Sequence, residues 1–145
     1  MSLKLAKAFV GAIRNNEALL RTLGATGNPL SGARIFTASR PETEDKADKL
    51  PYLIIMPQGI NTRGNKDEYD CGDNATVDVL VVGTADPDAF VNLAQTVRDT
   101  IEDNLTGDND FTIDDYTFSA SPLMYDEKKP CYFQTLTYNV NTQKI

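Results

Sequence analysis

Several residue types on which catalytic and metal sites depend are scarce in this chain of 145 residues. It contains no histidine and only two cysteines. Histidine is the usual general base near neutral pH and the commonest metal ligand, so its absence weighs against an enzyme and against a histidine-based metal centre. Cys71 and Cys131 lie far apart and form no CxxC pair, which predicts two free thiols in a reducing compartment.

Long apolar runs and an excess of positive charge are missing as well. No apolar stretch reaches the length of a membrane span, and Lys4 and Lys7 interrupt the region where a signal peptide needs an unbroken apolar core. A cytoplasmic protein without membrane contact is therefore expected. The 14 basic and 21 acidic residues give a net charge of −7, which argues against wrapping nucleic acid through counterion release.

The composition that remains is that of a globular domain. Hydrophobic residues make up 41% of the chain and charged residues 24%, which is typical of a folded protein. The length favours one domain over residues 1–145. No cofactor is expected.

Apolar spacing predicts helices in two regions. An N-terminal helix carries Leu3, Ala6, Phe9, Val10 and Ile13 on one face, breaks at Asn15-Asn16, and is followed by a short helix that ends at Gly24. Thr84 or Asp86 can cap a long helix, and Pro87 suits its first turn. Its predicted apolar stripe is Phe90, Val91, Ala94, Val97, Ile101 and Leu105.

β-branched and alternating segments predict the strands. They cover residues 34–37, 52–56, 76–82, 111–113, 116–119 and 131–140. A polar connection from Ser39 to Leu50 and a glycine-rich, charged hairpin excursion from Asn61 to Asn74 separate some of them. The predicted fold is α+β: a mixed or antiparallel sheet of about four to five strands, with the N-terminal helix and the long helix packed on one face.

Acidic clusters and glycine spacings are the chemical features to weigh. Acidic residues around Cys71 and again at 108–115 offer oxygen ligands but lack the spacing of a calcium loop, so solvated turns are the simpler interpretation. Gly59 and Gly64 fall short of a phosphate-binding loop, because the lysine does not directly follow the second glycine. Cys131 is interpreted as a small buried residue. An enzyme using Asp114 and Asp115 stays as a minor alternative.

The order and character of several segments resemble the phage tail terminator family, the tail-completion proteins similar to minor tail protein U. The segments that carry the resemblance are residues 16–20 after the helix break, Arg34-Ile35-Phe36, residues 50–55, and residues 75–83 leading to 91–98. The resemblance extends over most of residues 3–140.

This resemblance implies a structural, non-enzymatic protein. Six copies would form a ring that caps the tail tube, ends its polymerisation and joins the tube to the head connector, with DNA only passing through the lumen. The protein would be found in the host cytoplasm during assembly and then in the virion tail. Such a ring needs two different patches that meet on neighbouring copies.

One ring patch is predicted at the exposed edge of the C-terminal strand near Tyr132 to Val140, and the other at whichever helix side or strand edge lies opposite it. The excursion 61–74 is predicted to face the tube or the connector. The candidate contact residues are Arg63, Lys66, Asp67, Glu68, Tyr132, Gln134, Leu136 and Tyr138. Alternatives from the same sequence are a small ligand-binding or regulatory α+β domain and a head-to-tail neck protein.

Overall fold

A computed structural model of the chain describes residues 2–37, 49–62 and 72–145. Along these residues the chain forms three helices and six strands. In chain order they are α1 (Ser2–Ile13), α2 (Glu17–Thr22), β1 (Ile35–Thr37), β2 (Tyr52–Thr62), β3 (Gly72–Val82), α3 (Pro87–Asn104), β4 (Phe111–Ala120), β5 (Met124–Asp126) and β6 (Cys131–Lys144). None of these helices combines the length and the apolar character that crossing a membrane requires.

The break between α1 and α2 is a capping site. The Asn16 side-chain oxygen accepts a hydrogen bond from the Leu19 amide at 3.1 Å, and its amide nitrogen donates to Thr100 Oγ1 at 3.0 Å. One asparagine therefore starts α2 and ties it to α3. After α2 the chain turns at Gly24, whose φ is 96°, a conformation that favours glycine.

Gly24 also lies against the guanidinium of Arg34. Arg34 Nε donates to the Pro51 carbonyl at 2.9 Å and Nη2 donates to the Leu50 carbonyl at 3.2 Å. These bonds hold the start of β2 against the end of the helical region. A side chain at position 24 would displace the arginine that makes them.

Helix α3 begins as predicted. Asp86 is its N-cap and accepts from the Asp88 amide at 3.1 Å, and Pro87 occupies the first turn. Phe90, Ala94, Val97 and Ile101 form the buried stripe, but Val91 is 55% exposed. The prediction that Val91 faces the core is wrong. Val91 lies about 100° around the helix from Phe90, at the border of the buried stripe.

The sheet is mixed, which confirms the predicted α+β class. Its strand order is β1-β2-β3-β6-β4. β5 pairs with β6 on the same side as β4, at residues 131–133, where β4 has ended. Strands β1 and β2 are parallel, and every other neighbouring pair is antiparallel. The sheet has six strands, one more than the upper prediction, because the short β5 carries no alternating pattern. The two segments predicted at 111–113 and 116–119 form one strand with a bulge between Ile113 and Asp115.

The predicted excursion between β2 and β3 is partly regular strand. The two strands pair as far out as Thr62 opposite Asp73, with a register shift between Pro57 and Gly59. The tip of the excursion, residues 63–71, lies outside the described residues, and so do residues 38–48 of the polar connection.

The helices cover one face of the sheet, as predicted. Burial alternates along the central strands, so that Val77, Val79 and Val81 point into the core while the residues between them point to the opposite face. This outer face is apolar around Tyr52, Ile54 and Val82 and polar across the rest of β3, β6 and β4. The polar part is held by cross-strand hydrogen bonds from Thr76 to Asn139 and from Thr137 to Asp78, both at 2.7 Å.

Candidate assembly surfaces

The C-terminal strand does not have the exposed edge that the sequence predicts. β6 pairs with β3 on one side from Phe133 to Gln143, and with β4 and β5 on the other. It is therefore a central strand. The prediction failed because alternation along a strand identifies the strand and its faces but does not say which neighbours it has.

The four contact candidates on β6 fall into two groups. Leu136 and Tyr138 are 3% and 0% exposed and belong to the core. Tyr132 is partly buried, with its ring 4.8 Å from that of Tyr125, and Gln134 Nε2 donates to the Ser121 carbonyl at 2.8 Å. Only Tyr132 and Gln134 of this group lie close to the surface.

The remaining candidates belong to the hairpin tip. Arg63, Lys66, Asp67 and Glu68 lie outside the described residues. Their contacts stay a prediction.

Exposed apolar side chains occur on α3 and along the margin of the sheet formed by β4 and β5. Val91, Leu123, Met124 and Tyr125 are 55%, 43%, 50% and 46% exposed, and we refer to these four residues as the margin patch. Sequence reasoning missed all four as surface residues. Apart from Ile145, they are the large apolar residues that are most exposed in the described part of the chain. Val91 and Leu123 line one groove, and Tyr125 lies on the same helix side against Tyr132, whereas Met124, opposite Phe133, points to the other face of the sheet. The three helix-side residues are a candidate contact surface.

A groove of about 240 Å³ runs between α3 and β4 beside the margin patch. Its lining includes Val91 and Leu123 together with Phe118, Ala120 and Leu136. The guanidinium carbon of Arg98 lies 3.9 Å from the centre of the Phe118 ring, and Arg98 Nε donates to Glu102 Oε1 at 3.1 Å. The helix-side surface of β4 is buried at Phe111 and partly covered at Tyr116 and Phe118, and it is open only at its end near Ala120.

The backbone of β4 also faces outward at this margin. The Ser121 amide donates to the Thr135 carbonyl at 2.9 Å, and the pairing continues in register along Ala120–Leu136 and Phe118–Tyr138. In an antiparallel pair, hydrogen-bonded and non-hydrogen-bonded positions alternate. The N–H and C=O groups of Tyr116, Phe118 and Ala120 therefore point away from β6, and no strand among the described residues pairs with them.

Only part of this edge is protected against strand addition. The first half of β4 carries a bulge and two charged residues, Asp114 and Asp115, which are features that discourage edge-to-edge pairing. The second half, residues 116–120, has neither a bulge nor a charge. It ends next to the margin patch.

The acidic cluster at 108–115 is explained by turn and strand contacts. Asp108 Oδ1 accepts from the amides of Asp110 and Phe111, at 2.7 and 3.3 Å, and Asp110 pairs with Lys4. Asp115 accepts from the Asn141 side chain. Among the described residues, no group of three or more Cys, Asp or Glu side chains is placed to hold a metal ion.

Cys131 is 5% exposed and lies on the outer face of the sheet, as the interpretation of a small buried residue requires. Beside it is a cavity of about 160 Å³ whose lining includes Tyr52, Leu80 and Phe133 together with the charged residues Asp126 and Lys129. Ligand sites usually have about 300–1,000 Å³ and a few convergent polar groups. This cavity is smaller and mostly apolar, so it gives the ligand-binding alternative little support.

Comparisons with known proteins find a similar fold in a solved structure. No protein-family model matches the chain, and no curated protein matches it in sequence. A chain from a solved structure described as the virion of a native gene transfer agent particle is similar in fold, with a TM-score of 0.64. The similarity covers 97% of this chain and 95% of that chain, at 14% sequence identity. At this identity the likeness shows a shared fold.

Proposed function

We propose that this protein is a structural component of a phage or prophage virion, in particular a tail terminator. The observation that carries the proposal is the likeness of the whole fold to a chain of a virion particle, which extends over nearly the full length of both chains. The segments that resemble the tail terminator family agree with it. In this proposal residues 1–145 form one domain without catalytic activity.

The proposed role is to end the tail. Six copies close into a ring on the last ring of the tail tube, stop its polymerisation and present a surface to the head connector. The hairpin tip, with Arg63, Lys66, Asp67 and Glu68, has the length and mixed charge to reach the tube or the connector. The protein resides in the host cytoplasm until it enters the virion tail.

The charge of the subunit suits a channel through which DNA passes. Residues 74–82 of β3, 115–119 of β4 and 133–141 of β6 include no Lys or Arg. The outer face of the sheet along these residues therefore carries no cationic side chain. A surface without cations offers no partner to phosphate, so DNA would move past it without being retained. This property suits the lining of a channel for DNA.

Charge also suggests how assembly is controlled. Six copies at −7 each bring −42 into one annulus. Charges on exposed surfaces interact over about 10 Å at 0.1 M salt and less at higher ionic strength. Isolated subunits should therefore stay apart in dilute buffer, and salt or magnesium should promote ring formation.

The test combines light scattering with negative-stain microscopy of the purified protein at high concentration. We expect monomers at low ionic strength and annular particles with magnesium. Sodium chloride at matched ionic strength separates screening from specific magnesium binding. The same mass in every buffer would refute the electrostatic control, and a monomer at all concentrations, also when mixed with tail tube protein, would overturn the ring.

The neck-protein alternative shares the ring but not its position. A ring that binds the head connector and leaves tail tube polymerisation unchanged would favour the neck protein. A ring that stops tube growth would favour the terminator. Tube length measured in micrographs, with and without the protein, separates the two.

A further inference from the structure

The protected and unprotected halves of β4 divide the margin of the sheet into two parts. In residues 116–120 three successive outward positions, Tyr116, Phe118 and Ala120, offer backbone donors and acceptors without a partner among the described residues. The margin patch and the groove adjoin this stretch. Unpaired backbone and exposed apolar side chains in one place fit an extended segment better than they fit a small molecule.

Strand directions indicate what that segment is. β1 is parallel to β2, and the sequence of antiparallel pairs from β2 through β3 and β6 makes β4 run opposite to β1. If a second copy continues the sheet with the same face outward, its β1 lies antiparallel to β4 of the first copy. Antiparallel pairing has the more favourable hydrogen-bond geometry.

The surface next to β1 has the matching character. β1 is only three residues long, Ile35–Thr37, which suits the short unprotected stretch of β4. On the helix side of the sheet, Val10, Ala33 and Ile35 are partly buried apolar residues packed at the border of the core. They would meet the margin patch of the neighbouring copy.

We propose that residues 116–120 of β4, with the margin patch, form the docking surface for a second copy of this chain, which pairs through its β1. The contact joins two different margins and therefore repeats from copy to copy, as a ring requires. The inference rests on the proposed function, since it identifies the lateral contact of the proposed ring. It replaces the C-terminal strand edge that the sequence predicts.

Cross-linking between two tagged forms of the protein tests the pairing. Both forms carry Cys71→Ser, and Cys131 stays because it is buried. One form carries Ala33→Cys, just before β1, and the other Ala120→Cys, at the end of β4, because antiparallel pairing brings these two ends together; Ala33 is partly exposed and Ala120 is exposed. The forms are mixed with magnesium and treated with a short bismaleimide, and tags of different size distinguish the products.

We expect the mixed product to exceed either homodimer at least several-fold, and the Cys71→Ser parent to give no product. A dominant product between two Ala120→Cys copies would overturn the proposal in favour of a two-fold contact. Rings in micrographs without the mixed product would overturn this contact and leave the ring intact. The mixed product without rings would support the contact and count against the terminator.

Assembly of two surface variants gives an independent test. Val91→Lys places a charge in the margin patch, and Asn92→Lys is the matched control, because it adds the same charge at the next exposed position of α3. We expect Val91→Lys to raise the protein concentration needed for assembly at least tenfold and Asn92→Lys to change it less than twofold. Equal behaviour of the two variants, with unchanged thermal stability, would overturn the proposal.

Discussion

Tyr138 offers the most direct test of how the core is packed. Its side chain is fully buried, with ring centroids 5.4 Å from Phe9, 5.8 Å from Tyr116 and 5.1 Å from Phe118. Within the described part of the chain, its hydroxyl has no hydrogen-bond partner. A buried hydroxyl in this situation destabilises a fold by about 1–3 kcal/mol, because it has lost its bonds to water.

Tyr138→Phe removes the oxygen and keeps the ring contacts. We expect the free energy of unfolding to rise by about 1 kcal/mol, the lower end of that range, because a small void replaces the oxygen. With a urea m-value of about 2 kcal/mol per M, the unfolding midpoint should rise by about 0.5 M. Tyr116→Phe is the matched control: Tyr116 is only partly buried, and its change should stay within about 0.5 kcal/mol.

The pH dependence of stability gives a second readout of the same site. Burial, with a smaller effect from Glu102, raises the pKa of Tyr138 above the ordinary value of 10.0. Below pH 10 the raised pKa does not change stability, because the phenol is neutral in both the folded and the unfolded chain, and the full stability of the neutral form is present. This stability is lost as the pH rises from 10 toward the higher folded-state pKa, because the unfolded chain releases a proton that the folded chain keeps. Tyr138→Phe should therefore lose less stability above pH 10 than the wild type.

The measurement is urea unfolding in dilute, low-salt buffer, where the protein is expected to be monomeric, at pH 7 and in steps above pH 9. A midpoint for Tyr138→Phe that falls by 0.5 M or more would refute the reasoning. It would mean that the hydroxyl makes a stabilising hydrogen bond. Equal alkaline slopes for the two proteins would independently contradict the buried-phenol argument.

Three further substitutions test local features by the same unfolding measurement. Gly24→Ala should destabilise the protein by about 1–3 kcal/mol because of the positive φ and the adjacent guanidinium of Arg34. The control Gly11→Ala, in a helix with open space around it, should stabilise the protein by up to about 1 kcal/mol. Equal effects of the two substitutions would contradict the steric argument. Asn16→Ala should reduce stability by about 1–2 kcal/mol, because α2 loses its N-cap. The control Asn15→Ala removes one exposed hydrogen bond and should reduce stability by less than about 0.5 kcal/mol. Similar losses would show that the cap is unimportant. Arg98→Ala should lower the free energy of unfolding by about 1 kcal/mol, because it removes the guanidinium stacked on Phe118. Arg98→Lys should recover less than half of this loss. Full recovery by lysine would assign the effect to charge alone.

Periodicity predicted the elements whose pattern is long and regular. Phe90, Ala94, Val97 and Ile101 recur at helical spacing, and all four are buried in α3. Leu53, Ile54 and Ile55 predicted a strand covered on both faces, and each is at most 2% exposed. In these segments burial follows from the repeat itself, so local sequence is sufficient.

The proposed assembly surface could not be predicted in this way, because it depends on which strands become neighbours. Tyr132 to Val140 was assigned to an edge strand from its alternation, yet the same alternation fits a central strand. Val91 was assigned to the core because valine is apolar, although its position at the border of the stripe is decided by how α3 lies on the sheet. Met124 and Tyr125 belong to a strand too short to have a period. Pairing partners and helix placement are tertiary properties.

The strand order has a consequence for synthesis. β3 and β4 are made before β6, but in the finished sheet β6 lies between them and supplies the partner that each needs. A nascent chain therefore carries unsatisfied strand edges until β6 has been made, and these edges are open to chaperone binding in that interval. The proposed docking to another copy has to wait for that step, because β4 has no fixed edge to offer until β6 is in place.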